Sequence, residues 1–206
     1  GSGDPNISGR FYDENITAIP EMWADAIEGV GIKTVEGDIV ADDTIFDREY
    51  VNQAWPKEQL SRWYCAQVSG LSLNDNCIDV IISPVKNAGQ LVHVTTNPQT
   101  HYVKIINSCE ITGKKSKHAY SLFRKNGSNE IYLKGYFWNG IKQQQEWVTI
   151  DKPSLYLATV FKEIMEKRSI GVKGTVRFAN EQDVASIKHM EEIICTFSTI
   201  EQTINV

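Results

Sequence analysis

The most informative part of the chain is a helix–strand unit that ends in Ile170-Gly171-Val172-Lys173-Gly174-Thr175-Val176-Arg177-Phe178. Pro153 predicts the start of its helix, and the glycines predict a helix stop followed by a strand. A similar unit stands about 140 residues earlier, where Pro20 opens a predicted helix, Gly31 ends it and Gly37-Asp38-Ile39-Val40 follows as a strand. Two related units so far apart predict one α/β domain interrupted by an insertion.

The segment between the two units differs from them in charge and in pattern. Residues 86–147 hold nine Lys or Arg against three Asp or Glu, whereas the rest of the chain holds twelve against twenty-three. Short β-rich runs at 91–94, 101–105, 120–123 and 131–137 are separated by turn residues. We therefore predict an α+β or α/β chain. It consists of an α/β domain (1–85 plus 148–180), an inserted, mainly antiparallel β subdomain (86–147) and a linker (181–206).

The residues just before this insertion have the pattern of a β-hairpin. Two apolar runs within 63–84 flank Asn74-Asp75-Asn76, and such a cluster of Asn and Asp favours a tight turn. We predict two paired strands here.

The composition excludes several classes of protein. The chain has 206 residues, 41% of them hydrophobic, and a net charge of −5. No run approaches the roughly 18 apolar residues that cross a bilayer. The acidity and the lack of a Gly-rich phosphate loop argue against a nucleic-acid partner.

The cysteines offer no recognisable metal or redox motif. Cys65, Cys77, Cys109 and Cys195 include no C-x-x-C pair. Cys77 and Cys195 lie beside apolar runs, which favours buried thiols. The spacing leaves disulfide pairing open.

Four stretches together resemble the D-alanyl-D-alanine carboxypeptidase/endopeptidase family, the low-molecular-mass penicillin-binding proteins with inserted domains. They are Gly1-Ser2-Gly3-Asp4-Pro5, Gly37-Asp38-Ile39-Val40-Ala41-Asp42-Asp43-Thr44-Ile45-Phe46, the segment 64–76, and the Pro153 helix that runs into Ile170-Gly171-Val172-Lys173-Gly174. They occur in the family's order and span most of the chain. Gln67 and Gly70 stand where the family usually has Pro and Ala, which predicts a more flexible loop.

The resemblance implies the accessory region of a serine-type peptidase that cleaves peptidoglycan stem peptides through an acyl-enzyme. The family's catalytic domain has S-x-x-K before the inserted domains and S-x-N and K-T-G after them. This chain is expected to begin after the first motif and to end before the second, with 197–204 as the start of the return to the catalytic domain. The resemblance also implies a periplasmic or cell-envelope location, no cofactor and an inactive fragment.

Asp42 and Asp43 are the candidate substrate-binding residues. They form an acidic pair directly after a predicted strand, where ligand-binding groups tend to project. The resemblance implies that an acidic residue of this region holds the amine at the end of a stem-peptide side chain, with Asp42 the first candidate and Asp43 the second. The alternative is that the pair merely caps a turn before Phe46.

No catalytic or metal-binding residue is predicted. Ser83-Pro84-Val85-Lys86 satisfies S-x-x-K, but a strand precedes Ser83 and turn residues follow Lys86, whereas the mechanism needs the serine at the start of a helix. Ser72-Leu73-Asn74 satisfies S-x-N inside the predicted hairpin. The histidines, His93, His101, His118 and His189, have no metal-ligand spacing.

Three questions are left open by the sequence. The chain is either an accessory region of the peptidase or a free-standing module that binds peptidoglycan or a protein. The basic subdomain either faces a wall polymer or protein partner or has a solvated lysine-rich surface, and charge reversal at Lys114, Lys115 and Lys117 would distinguish these. The aromatic rings at Trp55 and at Trp63-Tyr64 either line a glycan or peptide groove or are buried, the more frequent fate.

Overall fold

The computed structural model describes residue 1 and residues 3–186. The described chain contains two named helices, α1 (Ala18–Gly29) and α2 (Pro153–Lys167), and residues 181–186 are also helical. Its strands are β1 (Thr34–Val35), β2 (Ile39–Ala41), β3 (Cys77–Ser83), β4 (His93–Asn97), β5 (Lys104–Thr112), β6 (Ala119–Arg124), β7 (Glu130–Trp138), β8 (Gln144–Thr149), β9 (Gly171–Val172) and β10 (Val176–Phe178).

The two helix–strand units pack against each other through equivalent elements. Strand β1 pairs in parallel with β9, and β2 pairs in parallel with β10. Asp38 accepts a hydrogen bond from Thr175, which lies 137 residues further along the chain. The paired residues of β1 and β9, and those of β2 and β10, are separated by the same number of residues. The Trp23 ring of α1 meets the Phe161 ring of α2 edge to face, with 5.6 Å between centroids. The predicted helix–strand repeat is confirmed, although α1 begins at Ala18, two residues before Pro20.

Two three-stranded sheets occupy the middle of the chain. Sheet I has the order β4-β3-β8 and is antiparallel throughout. Sheet II has the order β5-β7-β6, with β6 antiparallel and β5 parallel to β7. The parallel pair is the exception in an otherwise antiparallel arrangement, which agrees with the mainly antiparallel pattern predicted. It was not itself predicted, because a run of β-forming residues does not reveal the direction of its partner.

The predicted hairpin within residues 63–84 is wrong in its first strand. Residues 66–73 form no strand, and Asn74, Asp75 and Asn76 all have positive φ values in a short 3₁₀ turn. The Asn76 side chain donates to the carbonyl oxygen of Gln67 at 2.7 Å and holds the preceding segment in place. Strand β3 pairs instead with β4 and β8, which come later in the chain.

One hydrophobic core joins the sheets and helices. It includes Ile78 and Ile82 from β3, Leu133 and Phe137 from β7, and Tyr156 from α2. Sheet I takes β3 from before residue 86 and β4 from after it, so the core is continuous across this predicted domain boundary. The division into an accessory domain and an inserted subdomain stays a prediction.

Other predictions concern the cysteines and the C-terminal segment. Cys65, Cys77 and Cys109 are buried free thiols, and burial raises the pKa of Cys77 to about 12. Cys195, His189 and the predicted linker beyond residue 186 lie outside the described residues. No helix among the described residues is long and apolar enough to span a membrane.

The packing of the two units predicts that substitutions at two equivalent glycines affect stability differently. A Cβ atom on Gly174 would overlap the backbone of Gly37, whereas a Cβ atom on Gly37 meets nothing within 4 Å. We expect Gly174→Ala to lower the free energy of unfolding by about 1–3 kcal/mol, because overpacking displaces backbone. The matched control Gly37→Ala should change it by less than about 0.5 kcal/mol. Urea denaturation of both variants checks this, and equal stabilities would contradict the close backbone approach.

Candidate functional site

The candidate site lies where β2 ends beside β10. Ala41 is buried, and its carbonyl oxygen accepts a hydrogen bond from the Ala179 nitrogen at 2.9 Å. The next two residues are Asp42 and Asp43, so the pairing of the two repeats positions both carboxylates. Their side chains nevertheless enter different environments.

The Asp43 side chain is buried and its carboxylate is fully engaged. Asp43 is 1% exposed. Its Oδ1 accepts from the Arg48 Nε at 2.9 Å, and its Oδ2 accepts from the Tyr50 hydroxyl at 2.8 Å and the Ser154 hydroxyl at 2.9 Å. Arg48 also donates to the Ala179 carbonyl oxygen at 3.2 Å. A buried charge is tolerated where it has this kind of ionic and hydrogen-bonded partnership.

The partners of Asp43 come from distant parts of the chain. Ser154 is the second residue of α2, so the carboxylate lies near the N-terminus of a helix, where negative charge is favoured. The Ser154 hydroxyl is hydrogen-bonded to the Ser69 hydroxyl, which links the 69–70 loop to the same group. Burial, with the hydrogen bond to Asp43, raises the pKa of Tyr50 and keeps its hydroxyl protonated as a donor.

The loop at Gly70 approaches Asp43 closely because it has no side chain. A Cβ atom on Gly70 would overlap the Gly1 carbonyl oxygen and would come 3.2 Å from the Asp43 Cα. Gln67 is buried, and its amide donates to Asp151 Oδ1 at 2.8 Å and accepts from the Lys152 nitrogen at 2.9 Å. The two departures from the family pattern therefore have definite packing roles. The predicted flexibility of this loop stays a prediction.

Asp42 presents a carboxylate at the surface. It is half-buried, and its Oδ1 accepts from the Thr44 nitrogen at 3.1 Å and the Thr44 hydroxyl at 2.7 Å. Its Oδ2 accepts no hydrogen bond from the described residues. Burial acts to raise the pKa of Asp42, but the hydrogen bonds from Thr44 and the positive charges of the N-terminal amino group and Arg48 together leave this pKa below its ordinary value. Asp42 is therefore ionised at neutral pH.

Two exposed apolar residues follow Asp42 closely in the chain. Ile45 and Phe46 are both exposed, although large apolar side chains are usually covered. A carboxylate next to such side chains can pair with a cationic amine while the apolar surface contacts the hydrocarbon stem.

Sequence reasoning singled out both carboxylates but none of the residues that distinguish them. Arg48, Tyr50 and Ser154 had no recognisable motif, and Ser154 is 111 residues from Asp43. The start of the Pro153 helix was the one signal that could have drawn attention to Ser154. In the described part of the chain, no group of three His, Cys, Asp or Glu residues could hold a metal ion.

The different environments predict different effects on stability. Asp43→Asn removes the charge that Arg48 pairs with, and we expect it to lower the free energy of unfolding by about 2 kcal/mol. Asp42→Asn keeps an acceptor for Thr44 and should change the free energy of unfolding by less than about 1 kcal/mol. Denaturant midpoints measure both. An Asp43→Asn protein as stable as the unsubstituted chain would contradict the structural importance of this carboxylate.

Comparisons with known proteins identify the relatives of this chain. The profile of the D-Ala-D-Ala carboxypeptidase 3 (S13) family matches residues 1–190. A D-alanyl-D-alanine carboxypeptidase from Actinomadura sp. (strain R39) is 27% identical over 182 residues, which cover 85% of this chain and 32% of that protein. This chain thus spans about a third of the length of that relative.

Solved structures are similar in fold. Penicillin binding protein 4 from Haemophilus influenzae superimposes on 86% of this chain with a TM-score of 0.63 and 18% identity, over 37% of its own length. The same protein complexed with a beta-lactam superimposes on 87% with a TM-score of 0.53 and 16% identity, over 36% of its length. This likeness and the mixed helices and strands confirm the predicted α+β class. The family match confirms the predicted resemblance, and the chain belongs to the D-Ala-D-Ala carboxypeptidase 3 (S13) family.

Proposed function

We propose that this chain is the non-catalytic accessory region of a serine-type D-Ala-D-Ala carboxypeptidase or endopeptidase. The enzyme would act on peptidoglycan stem peptides through an acyl-enzyme, in the periplasm or cell envelope. Membership of the S13 family supports the reaction class. The 32% coverage of the Actinomadura relative is compatible with a region that works together with further parts of an enzyme.

The observation that carries the proposal is the geometry of Asp42. Its carboxylate is ionised, its Oδ2 accepts no hydrogen bond from the described residues, and Ile45 and Phe46, which follow it closely in the chain, are exposed. We assign to Asp42 the binding of the amine at the end of a stem-peptide side chain. An ion pair there would orient the substrate without taking part in bond cleavage.

Asp43 has a positioning role in this proposal. Its bonds to Arg48, Tyr50 and Ser154 tie the end of β2 to α2. Binding an amine directly would require the buried carboxylate to give up one of these partners. The arrangement favours Asp42 over Asp43 as the group that meets substrate.

Two literal motif matches lie in settings that do not suit an acylating serine. Ser83 is the last residue of β3, and residues 84–92 form no helix that would bring Lys86 to its hydroxyl. Ser72 donates to the Ser69 carbonyl oxygen at 3.4 Å and accepts from Asn76 at 3.2 Å. These contacts support a chain that is inactive by itself.

The alternative is a free-standing module that binds peptidoglycan or a protein. The reading frame on both sides of this chain separates the two, because an upstream S-x-x-K and a downstream K-T-G would support the accessory region. A wall polymer or protein partner at the basic segment 86–147 stays a prediction.

A substitution in the enzyme that contains this chain tests the role of Asp42. We expect Asp42→Asn to lower kcat/KM about tenfold for a D-Ala-D-Ala peptide with a free side-chain amine, because a charged hydrogen bond contributes about 1.5 kcal/mol. The same peptide with an acetylated amine should be cleaved equally by both enzymes. Asp47→Asn is the control, since exposed Asp47 likewise caps a turn through the Glu49 nitrogen. Equal losses on both peptides would overturn the assignment.

The inactivity of the chain itself is tested by its intact mass after incubation with a reactive penicillin. We expect no adduct, because neither of the two serines in literal motif matches, Ser72 and Ser83, has the setting of an acylating nucleophile. A stoichiometric adduct that disappears in Ser83→Ala would contradict this. Ser72→Ala is the matched variant for the second motif.

A further inference from the structure

A large groove lies on the face of sheet I that points away from the core. Strand β3 sends Ile78, Val80 and Ile82 into the core, and Cys77 and Asp79 line the groove. The cavity has a volume of about 950 Å³, which is at the upper end for ligand-binding clefts. We call it the aromatic groove. It shares no lining residue with the site at Asp42.

Three exposed aromatic rings line this groove. Phe11 is 65% exposed, Trp63 is 62% exposed and Trp147 is 55% exposed. They come from three separate parts of the chain, the 3₁₀ turns Gly9–Phe11 and Trp63–Cys65 and strand β8. Aromatic side chains are normally covered because they remove much apolar surface from water. Three uncovered rings around one cavity indicate a surface that stacks against a ligand.

The floor of the groove is polar and ordered. Asn97, Asp79 and Trp147 are directly opposite one another across β4, β3 and β8, so their side chains form a row on one face. Asp79 is 5% exposed and accepts from the amides of Asn74 at 3.0 Å and Gln145 at 2.7 Å. The Asn97 amide and the Gln145 Oε1 make no hydrogen bond within the described residues, which leaves them available to a ligand.

The walls of the groove are acidic and have an unusual backbone. Asp13, Glu14, Asn74 and Asp75 all have positive φ values, between 49° and 65°. Residues other than glycine seldom adopt this conformation, and where they do the surrounding structure holds it in place. Arg10 forms an ion pair with Asp75. The lining therefore carries more negative than positive charge, which disfavours a polyanion.

We propose that the aromatic groove binds a neutral oligosaccharide chain. A pyranose ring has an apolar C–H face, which stacks on an aromatic ring, and an edge of hydroxyls, which pairs with amides and carboxylates. The groove offers both surfaces, with aromatic rings around a floor of Asn, Asp and Gln side chains. Three separate rings suit a chain of several sugars better than a single one.

A peptide ligand fits these observations less well. A peptide that adds a strand pairs with the edge of a sheet. The groove instead lies over the face of sheet I, where Asp79, Asn97 and Trp147 form one row across β3, β4 and β8. The proposal concerns this chain alone and does not rest on the role of Asp42.

Calorimetric titration of the full 206-residue chain with tetra-N-acetylchitotetraose and with cellotetraose tests the proposal. We expect binding of at least one of them, weakened about tenfold or more by Trp63→Ala and by Trp147→Ala. Tyr136→Ala is the control, because this exposed ring belongs to sheet II and should leave binding unchanged.

Two outcomes would overturn the proposal. One is no binding of either oligosaccharide at millimolar concentration to the folded chain. The other is unchanged binding by the Trp63→Ala/Trp147→Ala double variant, whose folding is checked by circular dichroism. If the chain binds a stem peptide but neither sugar, and the double variant no longer binds the peptide, the groove is a peptide site instead.

Discussion

A carboxylate that is buried away from water must find all of its hydrogen bonds within the protein, and Asp43 meets this constraint by joining four segments. Its oxygens receive donors from Arg48, Tyr50 and Ser154, and Ser154 in turn contacts Ser69. The end of β2, the 48–50 segment, the 69–70 loop and the start of α2 therefore meet at one charge. Because neighbouring residues of an extended chain point to opposite sides, engagement of Asp43 leaves Asp42 facing outward.

The repeat explains why this meeting point exists. Strands β2 and β10 are equivalent parts of two related units and pair in parallel, so the first unit ends beside the start of the second helix. The aligned glycines, Gly37 and Gly174, indicated this relation in the sequence. The sequence could not predict the parallel β5–β7 pair or the true partners of β3, because pairing depends on distant strands. The left-handed residues at 74–76 also resembled a hairpin turn.

The candidate site was predicted in part. An acidic pair after a strand was visible in the sequence, but the difference between Asp42 and Asp43 depends on three donors, one of them 111 residues away. The aromatic groove was likewise predicted only in part. Trp63 was a candidate, and burial was its expected fate, yet the structure leaves it exposed in the same groove as Trp147 and Phe11. Exposure is set by tertiary packing, which a local pattern does not contain.

The most direct test of this account is a crystal structure of the enzyme that contains this chain, bound to a stem-peptide analogue with a free side-chain amine. If Asp42 binds the amine, the amine nitrogen lies about 3 Å from the Asp42 Oδ2. Asp43 should keep its bonds to Arg48 and Ser154 in the same structure. An amine bound to Asp43, or held by other residues while Asp42 faces solvent, would contradict the account.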